Sequence, residues 1–347
     1  MKKLLSLSAA LLLCFLAHSQ EAEATGDYAE VTIIPRLDLN PYFSEDSKLG
    51  FTHGNSSIYT LFEGSAGEHF SWTLVNHWIS SLNAPASPDY NYGWPYVNLG
   101  YSNTLNLIDY LCVDLTFGNW DFTIGKDAMF ILGHEFQPWD WEIHYDLLTP
   151  FNSVISGYQW GIAAAYTTNS ENTTIAAQWK TSPYGERPFA SGLYAYSLQW
   201  TGEYGFYEPI WSYSAIQYDK KSFQHLVTLG NKFNFSDEVF FVAEWTGGFA
   251  KSDPFFDDAF ADAFRFNCVR GEVGYAPSDR FDLGLHAYWH KPQELEGWFN
   301  VGAAAHFRPI KNNPDLLRLH AVLAYNTIGN YLGLTLGATF NIGIRCW

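Results

Sequence analysis

The end of the chain, from Tyr331 to Trp347, alternates between two kinds of residue. Between Leu332 and Ile344 every second residue is apolar, and the residues between them are Gly, Thr or Asn. A period of two is the pattern of a β-strand whose two faces meet different surroundings. The stretch is also longer than an ordinary strand of about 5–6 residues. We therefore expect a long strand with one apolar face and one small, polar face.

The same alternation recurs along the chain, for example in Tyr28–Leu39, Phe281–His290, Phe299–Phe307 and Leu317–Tyr325, with Ile34 and Val322 as exceptions. Turn-forming clusters of Gly, Asn, Asp, Ser and Pro separate such segments. The pattern predicts about 16 strands, at 28–39, 56–63, 69–80, 106–117, 120–130, 155–167, 172–181, 191–201, 206–218, 223–234, 238–250, 265–276, 281–291, 297–308, 316–326 and 331–347.

Short and long connections alternate between the predicted strands. GSAGE, GNW, NSEN, GEYG, FSDE, PSDR and KNNPD are tight turns, whereas the intervening links are mostly longer, at 40–55, 81–105, 131–154, 182–190, 251–264 and 292–296. Short periplasmic turns and longer external loops are typical of outer-membrane barrels. This asymmetry predicts an all-β fold, a transmembrane antiparallel β-barrel.

Composition restricts the surroundings of such a barrel. Mean hydropathy is −0.14, and after the first 19 residues no apolar run is long enough for a membrane-spanning helix. Acidic residues number 36 against 19 basic ones, a formal net charge of −17, which argues against nucleic acid as a partner. We expect the lipid of a Gram-negative outer membrane to surround the barrel.

The chain begins with a basic pair, an apolar run from Leu4 to Leu16 and the small-x-small sequence Ala17-His18-Ser19. This is the pattern of a secretory signal peptide. Lipidation at Cys14 is disfavoured, because Leu13 precedes it rather than a small residue. We therefore predict a signal peptide over 1–19 and a single barrel domain over 20–347.

Aromatic residues make up 18% of the chain, and several Trp residues fall near predicted strand ends or on the apolar faces. Two interpretations are open for Trp72, Trp78, Trp200, Trp211, Trp245, Trp289 and Trp298. They form girdles at the two lipid interfaces, or they are sugar-binding platforms of a secreted carbohydrate-binding β-protein. The long alternating strands favour the girdles.

Sixteen strands enclose an aqueous channel, whereas about eight are filled by side chains. Charged and imidazole side chains on the polar faces would then line the lumen, among them Arg36, Asp38, Asp114, Lys180, Lys232, Glu244, Arg270, Glu272, His306, Arg318 and His320. We predict a passive diffusion channel for small hydrophilic solutes or ions. The oligomeric state stays open, with a homo-trimer as one option.

The link 131–154 mixes charged and aromatic residues densely, which suits a segment packed against something. We expect it to fold into the barrel mouth as a constriction rather than to form an external cap. Its candidate pore residues, with two from the preceding strand, are Lys126, Asp127, His134, Glu135, Asp140, Glu142, His144 and Asp146. Its four carboxylates predict passage of cations or neutral polar solutes in preference to phosphate.

Enzymatic and metal chemistry find little support. His134, Glu135 and His144 lack the H-E-x-x-H spacing, and no G-x-S-x-G sequence is present. Asp253, Asp257, Asp258 and Asp262 lack the spacing of an EF-hand. We therefore predict neither an enzyme nor a cofactor.

The stretch FTIGKDAMFILGHEFQPWDWEIHYDLLTPFN, from Phe122 to Asn152, resembles the corresponding part of outer-membrane porins of the phosphate-selective porin O/P-like superfamily, in forms common in Bacteroidota. In those proteins a strand carrying Gly-Lys leads into a long loop that bends toward the pore, and Gly125 and Lys126 match that pair. The resemblance implies a porin fold, with loop 131–154 directed at the channel.

Overall fold

The computed structural model describes residues 27–43, 49–52, 56–77, 108–131, 133–137, 141–150, 157–185, 187–250 and 265–345. At 49–52, 77, 141, 142, 145 and 329 it describes the backbone alone. The predicted signal peptide 1–19, the loops 81–105 and 251–264, Trp78, Asp140 and Trp347 lie outside the described residues, as does the side chain of Glu142.

Eighteen strand segments follow one another along the described chain. They are β1 (Tyr28–Phe43), β2 (Leu49–Thr52), β3 (Ser57–Ala66), β4 (Phe70–His77), β5 (Ile108–Phe117), β6 (Trp120–Ala128), β7 (Tyr158–Thr167), β8 (Thr173–Thr181), β9 (Tyr194–Gly202), β10 (Tyr207–Asp219), β11 (Ser222–Asn234), β12 (Val239–Ala250), β13 (Phe266–Ser278), β14 (Phe281–Pro292), β15 (Trp298–Phe307), β16 (Leu317–Asn326), β17 (Tyr331–Phe340) and β18 (Ile342–Arg345).

These segments form one closed antiparallel barrel. Arg36 of β1 lies opposite Ser57 on one side and opposite Thr339 on the other, so the first and last strands pair. β2 and β3 follow each other along β1, as do β17 and β18, and each of these pairs counts as one barrel strand. The predicted barrel of 16 antiparallel strands is confirmed.

Alternate residues face outward and inward, as the sequence pattern predicts. Large apolar side chains on one parity are exposed, for example Leu37 (67%), Leu198 (57%) and Leu285 (61%). On the other parity, Ser, Thr, Gln, His and charged side chains point into the barrel. The two exceptions to the alternation, Ile34 (2% exposed) and Val322 (1% exposed), also lie on this inner face and are buried there.

The tight turns lie where the sequence predicts them. Phe117 pairs with Trp120 across a two-residue turn, and Gly118 there has a φ of 59°, a conformation that favours glycine. β1 is longer than the predicted 28–39, because Asn40–Phe43 pair with Leu49–Thr52. Part of the expected loop 40–55 is therefore strand. In the described part of the chain, no helix is long and apolar enough to cross a membrane.

An apolar cluster lies inside the barrel, near the end with the long connections. Met129 and Ile131, which follow β6, pack there with wall residues such as Ile216, Leu226 and Trp298. The prediction that Trp298 belongs to a lipid-facing girdle is therefore wrong, because this side chain is buried on the inner face. Trp211, by contrast, is exposed on the outer face.

Candidate functional site inside the barrel

The segment that follows β6 runs along the inner wall of the barrel. The amide of Phe130 donates to Gln178 Oε1 at 2.8 Å, and its carbonyl accepts from Ser214 Oγ at 3.2 Å. Thr228 Oγ1 donates to the carbonyl of Ile131 at 3.0 Å. These three partners lie on β8, β10 and β11, so side chains of the wall satisfy the backbone of the entering segment.

A 3-10 helix, His134–Phe136, continues across the wall, and we call it the first loop helix. The amide of His134 donates to Glu244 Oε2 at 2.7 Å, and His134 Nε2 lies 2.9 Å from the carbonyl oxygen of Glu208. Two glycines make this approach possible. A side chain on Gly133 would overlap the Glu244 carboxylate, and one on Gly230 would come within 2.9 Å of the same carboxylate.

Glu135 ties the two parts of the loop to each other and to the wall. Its carboxylate accepts from the amide of Thr149 at 2.7 Å and from Thr149 Oγ1 at 2.6 Å. Arg270 Nε lies 3.8 Å from Glu135 Oε1, and Arg270 also forms an ion pair with Glu272. Burial raises the pKa of the Glu135 carboxyl, while Arg270 and Thr149 act in the opposite direction.

The second loop helix, Trp141–Leu147, packs against β15 and β16 and is interrupted at His144, where φ is −92° and ψ is 20°. Ile143 and Leu147 form a buried apolar cluster with Ala304, Val322 and Ala324. Gly302 leaves room for Leu147, because a side chain at that position would meet the Leu147 methyl group. The unexpected apolar residue Val322 thus has a partner on the loop.

Polar contacts fix the second loop helix beside that cluster. Asn300 Nδ2 donates to the carbonyl of Asp146 at 2.9 Å, and Thr335 Oγ1 donates to Asp146 Oδ2 at 3.3 Å. Burial raises the pKa of Asp146 to about 6. His144 Nε2 lies 2.9 Å from His306 Nε2. Burial lowers the pKa of His144 well below its ordinary value, and the positive charges of the neighbouring imidazoles and Arg270 act in the same direction.

The wall outside the loop contacts is organised as ion pairs. Arg36 Nε lies 3.2 Å from Asp38 Oδ2, whose other oxygen lies 2.7 Å from His320 Nε2. Lys180 pairs with Asp127. Lys232 pairs with Glu208 at 2.8 Å, and Asp114 accepts from Thr123 Oγ1 at 2.5 Å. The predicted lumen residues Arg36, Asp38, Lys180 and His320 are therefore buried rather than open to water, as are Glu244, Arg270 and His306 at the loop contacts.

Some of the predicted residues come together and others do not. Contacts join His134, Glu135, His144 and Asp146 of the loop to wall residues, among them Glu244, Arg270 and His306. Asp114, Asp127 and Lys180 lie on strands β5, β6 and β8, and Lys232 and Arg318 lie on β11 and β16. None of these five is joined by a described hydrogen bond or ion pair to the loop residues named above.

Lys126 lies elsewhere than we expected. It has the parity of Ile124, which is exposed on the outer face, but Lys126 is itself buried, and its Nζ donates to the carbonyl of Ile108 at 2.5 Å. The neighbouring residue Asp127 has the inward parity and meets Lys180. The alternation of β6 accounts for this difference, since adjacent residues of a strand point to opposite faces.

Sequence reasoning missed three wall partners of the loop and one contact within it. Asn300, Thr335 and His286 on the wall contact loop residues or lie against them, and Thr149 of the loop binds Glu135. The inward parity of the three wall residues was visible in the sequence, but nothing in the sequence distinguished them from other inward residues. In the ranges that the structure describes, no group of three or more His, Cys, Asp or Glu is arranged to hold a metal ion.

Comparisons with known proteins show the same architecture. An anion-selective porin from Comamonas acidovorans has a TM-score of 0.59 at 11% identity, over 90% of this chain and 100% of that chain. The outer membrane channel DcaP of Acinetobacter baumannii has a TM-score of 0.56 at 13% identity, over 92% and 99%. OmpT of Vibrio cholerae in its trimer form has a TM-score of 0.53 at 9% identity, over 90% and 99%.

No protein-family model matches this sequence, and no curated protein matches it. At identities of 9 to 13%, the likeness to solved structures shows the fold. The chain has the closed 16-stranded antiparallel barrel fold of outer-membrane porins.

Proposed function

We propose that this protein is an outer-membrane porin of a Gram-negative bacterium, a passive diffusion channel for small hydrophilic solutes or ions. One observation carries the proposal: the closed barrel has an apolar outer belt and an inner face of charged and polar side chains. Lipid suits the first surface, and an aqueous path suits the second. The belt argues against a secreted carbohydrate-binding protein, because a soluble protein rarely exposes so large an apolar surface.

Loop 131–154 is our candidate for the constriction of that channel. Its described part lies inside the barrel and contacts β10, β11, β12, β13, β15, β16 and β17 through the hydrogen bonds, ion pairs and packing given above. A segment held across a lumen narrows it. Deleting residues 134–146 should therefore raise single-channel conductance, and an unchanged conductance would place the narrowest point elsewhere.

For selectivity, we propose a modest preference for cations and neutral polar solutes over phosphate. Glu135 and Asp146 contribute less charge than the sequence indicates, because both are held in buried contacts. The basic wall residues contribute little net charge too, since Arg36, Lys180, Lys232 and Arg270 all pair with carboxylates. Asp140 and Glu142 are then the remaining acidic groups of the loop.

Reversal potential in a potassium chloride gradient across a planar bilayer tests this sign. We expect a shift toward cation preference that weakens at high salt, where the Debye length falls to about 3 Å at 1 M. A clear anion preference would show that basic wall residues control the path. The anion-selective porin with the same fold makes that outcome the natural alternative.

Two finer proposals accompany the function. The resemblance around Gly125 and Lys126 suggests the phosphate-selective porin O/P-like superfamily of Bacteroidota, and a homo-trimer is consistent with the trimer form of one protein with this fold.

Outer-membrane fractionation with and without heating tests whether the protein resides in the membrane. A heat-modifiable band supports a barrel in the membrane, whereas full solubility without detergent would contradict it.

A further inference from the structure

Three imidazoles meet where the second loop helix touches the wall. The ring centroid of His144 lies 5.1 Å from that of His306 on β15 and 5.3 Å from that of His286 on β14. His144 therefore lies between two wall histidines. We call His144, His286 and His306 the histidine latch.

One glycine and the backbone conformation of His144 allow the three rings of the latch to approach one another. His286 leans over Gly284, where a side chain would come within 2.6 Å of His286 Nε2. His144 itself interrupts its helix in the bridge region of backbone conformations, which is sparsely populated. The close approach thus depends on the local backbone as well as on the rings.

The contact between His144 and His306 requires at least one of the two rings to be neutral. Their Nε2 atoms are 2.9 Å apart, so one must carry a proton and the other a lone pair. The acceptor ring is then neutral, since an imidazolium has a proton on each nitrogen and no lone pair left to accept with. Protonating both would turn the hydrogen bond into a contact between two N–H groups and two positive charges.

Among the described residues, a positive charge on a protonated His144 would have no carboxylate beside it to balance it. The groups that act on it electrostatically are His306, His286, Arg270 and His320, all cationic or able to become so. The nearby carboxylates contact the wall residues instead. Glu272 lies 3.7 Å from His286, Asp38 lies 2.7 Å from His320, and Asp282 pairs with Arg308 beside His306.

We propose that the histidine latch is an acid-sensitive switch, which holds the second loop helix on the wall at neutral pH and releases it when the imidazoles become protonated below about pH 6. Its consequence for conductance depends on the proposed channel function. The release itself does not.

The sign of the pH dependence follows from two opposing sets of groups. The docked His144 has a lowered pKa, so its docking energy is complete above the free-loop pKa of about 6.5 and declines below it. Asp146 and Glu135 act oppositely. Their pKa values are raised in the docked loop, Asp146 to about 6, so docking gains from their protonation as the pH falls. Release requires the three imidazoles, all covered by the docked loop, to outweigh these two carboxyls.

Hydrogen exchange of the amides in residues 141–149, measured in lipid nanodiscs at pH 7.5 and pH 5 and corrected for intrinsic rates, tests the release directly. We expect wild-type protection to fall by about tenfold per pH unit for each net proton that the protein takes up when the loop is released. His144→Gln keeps a polar group and cannot titrate, so its protection should change much less. Equal protection of the wild type at both pH values would overturn the proposal.

Asp146→Asn is the matched variant of opposite sign. It keeps a side-chain acceptor for Thr335 and removes the carboxyl that favours docking in acid. Its loss of protection between pH 7.5 and pH 5 should therefore be larger than that of the wild type. A smaller loss would show that imidazoles do not drive the release.

Single-channel conductance at the same two pH values links release to transport. We expect the wild-type conductance to rise in acid and that of His144→Gln to stay constant. A rise of equal size in both would overturn the latch. Absence of conductance at every pH would contradict the channel function, while the exchange experiment would still decide whether the latch opens.

Discussion

Glu135 connects two parts of the loop with each other and with the barrel wall. It accepts two hydrogen bonds from Thr149 and faces Arg270, so one carboxylate joins the first loop helix, the residues just after the second loop helix and the wall. A buried acid in such a position is costly unless its hydrogen bonds and its charge partner remain in place. Its role here is therefore to position the loop.

Glu135→Ala should weaken docking of the loop without unfolding the barrel. Removing one partner of a buried ion pair costs about 3–5 kcal/mol, and the loop can limit that cost by leaving the wall. The readout is hydrogen exchange of the Thr149 amide, which should accelerate. Glu203→Ala, in the exposed turn between β9 and β10, is the control and should leave this amide unchanged. Unchanged protection in Glu135→Ala would mean that other contacts suffice.

At the scale of elements, apolar packing holds the second loop helix. Ile143 and Leu147 fill a small apolar site formed by Ala304, Val322 and Ala324 in a wall that is otherwise polar. Shape complementarity reaches the backbone, because Gly302 provides the space for Leu147. The helix thus binds a specific site on the wall.

Leu147→Ala should destabilise docking by about 2–5 kcal/mol, the usual cost of removing a buried leucine side chain. Leu323→Ala is its control, because Leu323 is on the adjacent outer face and is 48% exposed. Exchange rates of the amides in 141–149 should rise in the first variant only. Equal changes in both would indicate a general effect on β16 rather than loss of the docking site.

At the scale of the whole molecule, the barrel has an apolar outer belt and a polar inner face. Leu336 is 45% exposed in the outer belt, whereas its neighbour Thr335 is 1% exposed and contacts the loop. Inner-face positions therefore differ in whether the docked loop contacts them. A charge at Thr335 would disturb the docked loop, while Ala165, which lies between Asp121 and Ala176 on the inner face, has no described contact with the loop.

Leu336→Arg should reduce the stability of the barrel by about 2–4 kcal/mol, the cost of Arg near the bilayer midplane. Ala165→Arg places the same charge on the inner face and should fold normally while it changes conductance. Denaturant unfolding in lipid, followed by heat modifiability, measures both. Equal loss of stability in the two variants would mean that the assignment of inner and outer faces is wrong.

Strand alternation and the order of turns were sufficient to predict the barrel. Both are local properties, since the parity of Leu332–Ile344 or the turn at Gly118 depends on a few neighbouring residues and on which solvent each face meets. The mixed charged and aromatic composition of loop 131–154 also indicated packing against the barrel, which its described part shows. The outward parity of Lys126 could have been read from β6, where Ile124 and Asp127 already define the two faces.

The docking contacts could not be predicted in this way, because they join residues far apart in sequence. His134 meets Glu244 across 110 residues, His144 meets His306 across 162 and Asp146 meets Thr335 across 189. The sequence alone determined which side chains face inward, since strand geometry admits two directions only. The tertiary structure decided which of them the loop buries, because that depends on the closed barrel bringing distant strands within reach of one segment.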